Sequence, residues 1–151
     1  MPGTQPRAPA LPVTFRPWLA TWMLIGLAVA VTAALGTLAV VLPGIDARDR
    51  WGFVGLAALV VVGLSFLARP RVRADLDGLE IVNVWRRRRL GWPEVVAVRL
   101  GPGDPWLVLD LDDGTTAAAM GVQSADGVRG RRAAAEIAAL VAANSVTPRD
   151  H

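Results

Sequence analysis

Two runs of this chain, residues 18–42 and 51–68, carry no charged side chain and are almost wholly apolar. A helix rises about 1.5 Å per residue and the hydrocarbon core of a bilayer is about 30 Å thick, so about 20 apolar residues suffice to cross it. The first run exceeds that length and the second just meets it. A soluble domain made from the rest of the 151 residues has nowhere to bury both. The sequence therefore predicts a membrane hairpin: helices at 18–42 and 51–68, a short external loop at 43–50, one small domain at 70–144, and disordered tails at 1–17 and 145–151.

The first seventeen residues include Pro2, Pro6, Pro9, Pro12 and Pro17 and offer little to bury, which is the composition of a disordered tail. A cleaved secretory signal is the competing reading of the first run. Its apolar stretch, however, outruns the roughly 7–15 residues of a signal h-region, and a second span follows at once.

Arginines near the spans set orientation. Arg7 and Arg16 precede the first run, and Arg69, Arg71 and Arg73 follow the second. In the loop, Arg48 and Arg50 stand beside Asp46 and Asp49. Positive-inside bias places both termini in the bacterial cytoplasm, in a multi-pass protein of the plasma membrane. Trp18, Trp22 and Trp51 sit at span ends, where indole rings favour the interface. Ala28, Thr32 and Gly36, with Gly55 and Gly63, form small-residue stripes that predict close packing of the hairpin on itself or on a second copy. No ionisable side chain lies within either span, which argues against a transporter or proton relay.

Composition narrows the chemistry further. There is no Cys, so disulfides, thiolate catalysis and Cys-based zinc sites are excluded. The one histidine, His151, is the last residue, and all sixteen basic residues are Arg. Serine is confined to Ser65, Ser124 and Ser145. With no nucleophile and base in view and no pair of carboxylates set apart by apolar surroundings, the expectation is a protein that is not an enzyme and uses no cofactor or metal.

Beyond the second run the hydrophobic period shortens. Val72, Ala74 and Leu76 alternate with Arg71, Arg73 and Asp75, as on a half-buried strand. Asp77-Gly78 signals a hairpin turn into a second strand over 79–84, and residues 86–90 continue as a third. Residues 94–100 give a fourth strand, with Val96, Val98 and Leu100 inward. A Gly101-Pro102-Gly103-Asp104-Pro105 turn leads to a fifth over 106–112, and Asp113-Gly114 turns into a sixth over 115–120. A final helix, capped by Ser124 or Asp126, has Ala133, Ile137, Leu140 and Val141 as its apolar stripe. The predicted fold class is thus a membrane α-hairpin followed by a small α+β domain, a curved antiparallel sheet or open barrel of about six strands with a helix in one mouth.

A Trp-Pro-Glu-Val-Val segment at residues 92–96 follows a basic strand, and Asp104-Pro105-Trp106 and a closing helix come after it. This arrangement resembles the bacterial pleckstrin-homology (PH-like) domain family. The layout of hairpin then domain is similar to small two-span membrane proteins of GC-rich bacteria of the low molecular weight protein antigen 6 type. The resemblance covers about residues 14–143 and implies a PH-like fold in a membrane setting, with no established ligand.

Three groups of side chains are candidates for contact. Arg86, Arg87, Arg88 and Arg89, with Arg69, Arg71 and Arg73, are candidates for anionic lipid contact, each worth about 1 kcal/mol near a charged leaflet. Alternate members of a strand face opposite ways, so at most two of the four-residue run share a surface. Trp85, Trp92 and Trp106 are candidates for a partner groove. Asp110, Asp112 and Asp113 fail the calcium-loop spacing, since the positions that need an acidic ligand and a glycine hold Gly114 and Thr115. Arg129, Arg131 and Arg132 come without a recognised nucleic-acid motif, so nucleic acid is not favoured. The expected role is a non-enzymatic, bilayer-embedded protein displaying a cytoplasmic PH-like domain for interaction with a membrane or cytoplasmic protein. Anionic lipid binding is the alternative, with homo-oligomers formed through the Gly/Ala-rich spans.

Overall fold

The computed structural model describes residues 7–145. They form two compact units: Leu19–Arg69, and a second assembled from the chain up to Trp18 together with the chain from Pro70 onward.

In the helical unit, α1 (Trp18–Val41) and α2 (Ala47–Leu67) are both long and apolar enough to cross a membrane. Ala39 apart, none of their residues is buried by protein. The α2 helix starts ahead of the expected residue 51, because the charges assigned to the loop build its first turn. Asp46 is the N-cap, its carboxylate accepting the Asp49 N–H at 2.9 Å. Asp49 then places a negative charge at the positive end of the helix dipole. Within the spans the Thr37 and Ser65 hydroxyls donate to the Ala33 and Val61 carbonyls at 2.8 and 2.7 Å. Both polar groups are thereby satisfied inside their own helix, as an apolar setting requires. The expected close glycine contact within the hairpin is not formed. A Cβ added at Gly36, Gly55 or Gly63 would meet nothing within 4 Å. Ala28, Thr32 and Gly36 of the expected stripe line crevices of about 240 and 140 Å³ that they share with residues of α2, among them Val61 and Phe53.

The second unit has the expected antiparallel strands and closing C-terminal helix; the strands, about six by expectation, are seven and fall in two sheets. The first sheet runs in the order β1 (Val13–Phe15), β2 (Arg71–Ala74), β3 (Gly78–Val82), β4 (Arg87–Gly91). The second runs β5 (Val95–Arg99), β6 (Trp106–Leu111), β7 (Thr116–Gln123). The seventh strand, β1, comes from the stretch expected to be a disordered tail. Thr14 lies opposite Arg73 and Phe15 opposite Val72, so a strand that precedes the first apolar helix pairs with one that follows the second. The physical reason is burial. Phe15 is 8% exposed and joins the core, while Leu11 and Val13 pack against it. That apolar alternation outweighs the prolines around it. Residues 1–6 and 146–151, the rest of the expected tails, lie outside the described residues.

The core is a single cluster. Val72, Leu79, Ile81 and Leu90 enter it from the first sheet, and Val95, Leu107, Leu109 and Val122 from the second. Ile137, Leu140 and Val141 of α3 (Val128–Asn144) close it. Gly121 and Gly130 permit this packing. A Cβ on Gly121 would come within 2.6 Å of the Arg71 backbone, and one on Gly130 within 2.1 Å of the Gln123 carbonyl.

Three further expectations are corrected. Leu76 was expected inward but is 81% exposed, because the turn begins early. The Asp75 carboxylate accepts the N–H groups of Asp77 and Gly78 at 3.0 and 3.1 Å and ends β2 at Ala74. Val96 was expected inward but is 65% exposed while Val95 is buried, since a bulge between Val95 and Ala97 shifts the register. The α3 N-cap is Gly127, with φ +58°, rather than Ser124 or Asp126. The Asp126 carboxylate instead accepts the Trp18 N–H at 3.1 Å.

These contacts predict that Phe15→Ala lowers thermal stability in detergent by about 3 kcal/mol, as for a core phenylalanine. Thr14→Ala, on the exposed face, changes it little. Equal effects of the two substitutions would return residues 13–15 to the status of a tail.

Candidate functional site

The arginine run is divided by strand geometry. Arg71 lies opposite Val82, and Val82 opposite Arg87; Arg73 lies opposite Glu80, and Glu80 opposite Arg89. Directly paired residues share a face, so Arg71, Arg73, Arg87 and Arg89 occupy the outer face of the first sheet around Glu80. Glu80 is 7% exposed, and its carboxylate forms an ion pair with Arg87. Arg89 reaches Asp75 at 2.9 Å and Asp77 at 3.2 Å. Two of the four outer arginines are thus committed to neighbours. Arg71 and Arg73 make no ion pair among the described residues.

Arg88 belongs to the opposite face, opposite Ile81 at the edge of the sheet. With Arg86, Asn83 and Thr116 it lines a notch of about 210 Å³ between the two sheets. A second notch of about 310 Å³ adjoins it, lined by Asn83, Val84, Trp85, Arg86 and Met120. Asn83 holds the junction together. Its Nδ2 donates to the Ala118 carbonyl at 2.8 Å, and its Oδ1 accepts the Met120 N–H at 3.0 Å. One side-chain amide thereby mimics a strand partner for β7. Asn83 was not singled out from sequence; its only signal was a polar amide directly after the apolar pair Ile81 and Val82.

The three tryptophans do not form one groove. Trp92 is 4% exposed, and its indole N–H donates to the Leu76 carbonyl at 3.1 Å, so it is a core residue. Trp106 is half-buried at the start of β6, opposite Gln123. Trp85, 87% exposed, stands alone in the β3–β4 turn. Arg69 belongs to the helical unit, its guanidinium 3.9 Å from the centre of the Phe66 ring. Arg129 covers the Trp18 ring at 4.4 Å, and Arg132 pairs with Glu136 at 2.9 Å.

The acidic residues serve turns and strands. Asp110 takes both ends of Arg99, at 2.7 and 2.5 Å. Asp113 accepts the Thr115 hydroxyl at 2.6 Å and its N–H at 2.8 Å. Those bonds, with a weaker contribution from the charge of Arg88, hold its carboxyl below the usual aspartate range. No group of three or more His, Cys, Asp or Glu suited to a metal ion occurs among the described residues.

This partition separates structural from available arginines. Arg87→Gln leaves Glu80 buried without its counter-charge and is expected to cost about 1–2 kcal/mol, less than a fully buried pair because Arg87 itself is exposed. Arg88→Gln is expected to be neutral within about 0.5 kcal/mol, as for an exposed residue without an ion pair. Thermal melts of the two variants read the difference, and equal melting points would contradict the Glu80–Arg87 assignment.

Comparison with known proteins agrees with the topology. Residues 69–140 match the family described as bacterial PH domain. Uncharacterized proteins of Mycobacterium bovis and of two strains of Mycobacterium tuberculosis are each 34% identical over 90 residues. The aligned part spans 59% of this chain and 58% of each relative's length. No solved structure matches. The matched residues carry six of the seven strands and most of the closing C-terminal helix, and it is to this family that the second unit is similar.

Proposed function

We propose that this chain is a two-span protein of the bacterial plasma membrane that displays its PH domain on the cytoplasmic side as a non-enzymatic interaction module. The pairing of β1 with β2 carries the reading. Strands on either side of Leu19–Arg69 share one sheet, so both ends of the helical unit emerge on the same side of whatever it crosses. Two crossings satisfy that condition and one does not. Removal of the chain through α1 as a signal would also take away β1 and with it Phe15 from the core. The arginine asymmetry supports the cytoplasmic side.

The partner favoured here is a membrane or cytoplasmic protein. Strand β5 lies at one edge of its sheet, and its bulge turns Val96 outward. An open edge with an exposed apolar side chain is the arrangement that accepts an added strand. Homo-oligomers through the open glycine faces of Gly36 and Gly55 are compatible with this role. A second reading, attraction of the domain to anionic lipid, is supported by Arg71 and Arg73, whose charges are not offset by an ion pair among the described residues.

The absence of cysteine makes single-site labelling a direct test. Ile45→Cys is expected to react with a membrane-impermeant maleimide in intact spheroplasts. Arg7→Cys and Ala125→Cys are expected to react only after permeabilisation. Labelling of Ala125→Cys in intact cells would overturn the cytoplasmic placement, and opposite behaviour at positions 7 and 125 would overturn the double crossing.

A further inference from the structure

We infer that β5 is the strand through which two copies of this chain associate. The β5 of one copy pairs antiparallel with the β5 of the other about a two-fold axis at Val98. The inference rests on the reading of β5 as an accepting edge and names a second copy as the protein that fits it.

Among the described residues the two sheets end in four edge strands, β1 and β4, β5 and β7. Three of them are blunted or engaged. β1 has three residues set between Pro12 and Pro17, which have no N–H to give. β4 carries Arg87, Arg88 and Arg89, so a second β4 beside it would set arginine against arginine. β7 is bonded by the Asn83 amide at Ala118 and Met120 and lies against the Arg71 backbone at Gly121. β5 differs. Val95, Val96, Ala97 and Val98 contain no charge, proline or glycine, and Val96 is 65% exposed. An uncharged apolar edge of this kind is a template for another strand.

Symmetry and charge select a second copy. When a strand pairs antiparallel with its own copy, the two-fold axis passes through a residue that lies opposite itself. Val98 lies opposite Leu109 and packs against the core, whereas Ala97 and Arg99, opposite Asp110 and Val108, belong to the outer face. An axis at Ala97 would set core-facing Val98 against the exposed Val96. An axis at Val98 keeps the faces matched and sets Ala97 opposite Arg99 of the second copy. One outer row then runs from that arginine across Ala97 to Asp110. Its ends are two strand spacings apart, about 10 Å, and only the Ala97 methyl stands between them. Asp110 takes Nε and Nη2 of its own Arg99 at 2.7 and 2.5 Å, one bond to each oxygen. Each oxygen keeps a lone pair for the incoming guanidinium. Two arginines and two aspartates thereby alternate across the axis, where a pair of β4 strands would gather arginines alone. The ladder is short, and on the two-span reading a shared membrane raises the effective concentration of one copy at the other.

The test uses Val98→Cys and, on the β4 edge, Arg88→Cys, each as the one cysteine of the full-length chain, oxidised in native membranes. Directly opposed residues stand about 5 Å apart between Cα atoms, within disulfide range. Val98→Cys is expected to give a disulfide-linked dimer on a non-reducing gel, and Arg88→Cys severalfold less. Adding Val96→Arg, at an exposed position, is expected to cut the dimer at 98 severalfold without moving the melting temperature. Asp110→Arg is expected to cut it likewise, and Asp110→Arg together with Arg99→Asp to restore it. Equal dimer at 88 and 98, or a dimer at 98 that Val96→Arg leaves unchanged, overturns the inference. If no dimer forms while Val96→Cys is shielded from a maleimide in membranes and labelled once purified, a different protein holds the edge. That result removes the second copy and keeps the reading on which it rests. If no dimer forms and Val96→Cys is labelled freely in membranes, both are lost.

Discussion

A three-residue strand pairing governs this molecule. Alone, β1 is too short to hold its place, since strands of three residues in isolation gain too little to offset the ordering of their backbone. Two things make it viable. Phe15 adds core burial worth about 2 kcal/mol on an area basis. Insertion of the intervening helices as a hairpin would fix both of their ends on one side of a bilayer, cutting the entropy otherwise lost in closing the loop between β1 and β2. Insertion of that kind and completion of the sheet would favour each other. The first sheet lacks its edge strand unless the chain ahead of α1 returns to it.

Register then decides what the arginines do. Six of them lie within residues 71–89, and a reading by proximity gives them one purpose. Pairing on the pleat divides them. Arg87 and Arg89 compensate acids, one of which is almost wholly buried at the centre of a sheet face. Arg71 and Arg73 share that face without ion pairs among the described residues, while Arg86 and Arg88 line the gap between the sheets. The same gap is spanned by Asn83, whose amide bonds to β7 on both its donor and its acceptor side.

Much of this was legible from residue pattern. The apolar runs gave both helices, and alternation with Asp-Gly and Gly-Pro turns gave the order of six strands and the closing helix. The misses have specific physical causes. Val13 and Phe15 alternate as strand residues do, but the prolines around them and their distance from the rest of the sheet hid a pairing that only tertiary burial rewards. A bulge at Val96 inverted an otherwise regular period, and bulges leave no reliable trace in hydrophobic alternation. Glu80 was the most readable of the overlooked residues, an acid between Leu79 and Ile81 on a strand otherwise apolar, which a basic partner across the sheet had to answer. The grouping of Trp85, Trp92 and Trp106 failed because composition does not distinguish a core indole from an exposed one. Trp92 is buried with its N–H on the Leu76 carbonyl, whereas Trp85 is 87% exposed in its turn.

The most direct measurement is a cross-link across the pairing on which all this depends. Thr14 and Arg73 are register partners, and the chain has no native cysteine to compete. A Thr14→Cys, Arg73→Cys double variant, oxidised in native membranes, is predicted to form an intramolecular disulfide that shifts its mobility on a non-reducing gel. Thr14→Cys paired with Asp112→Cys is predicted to form none. Absence of the link between positions 14 and 73, or equal cross-linking of the two pairs, would contradict a sheet completed from both sides of the two apolar helices.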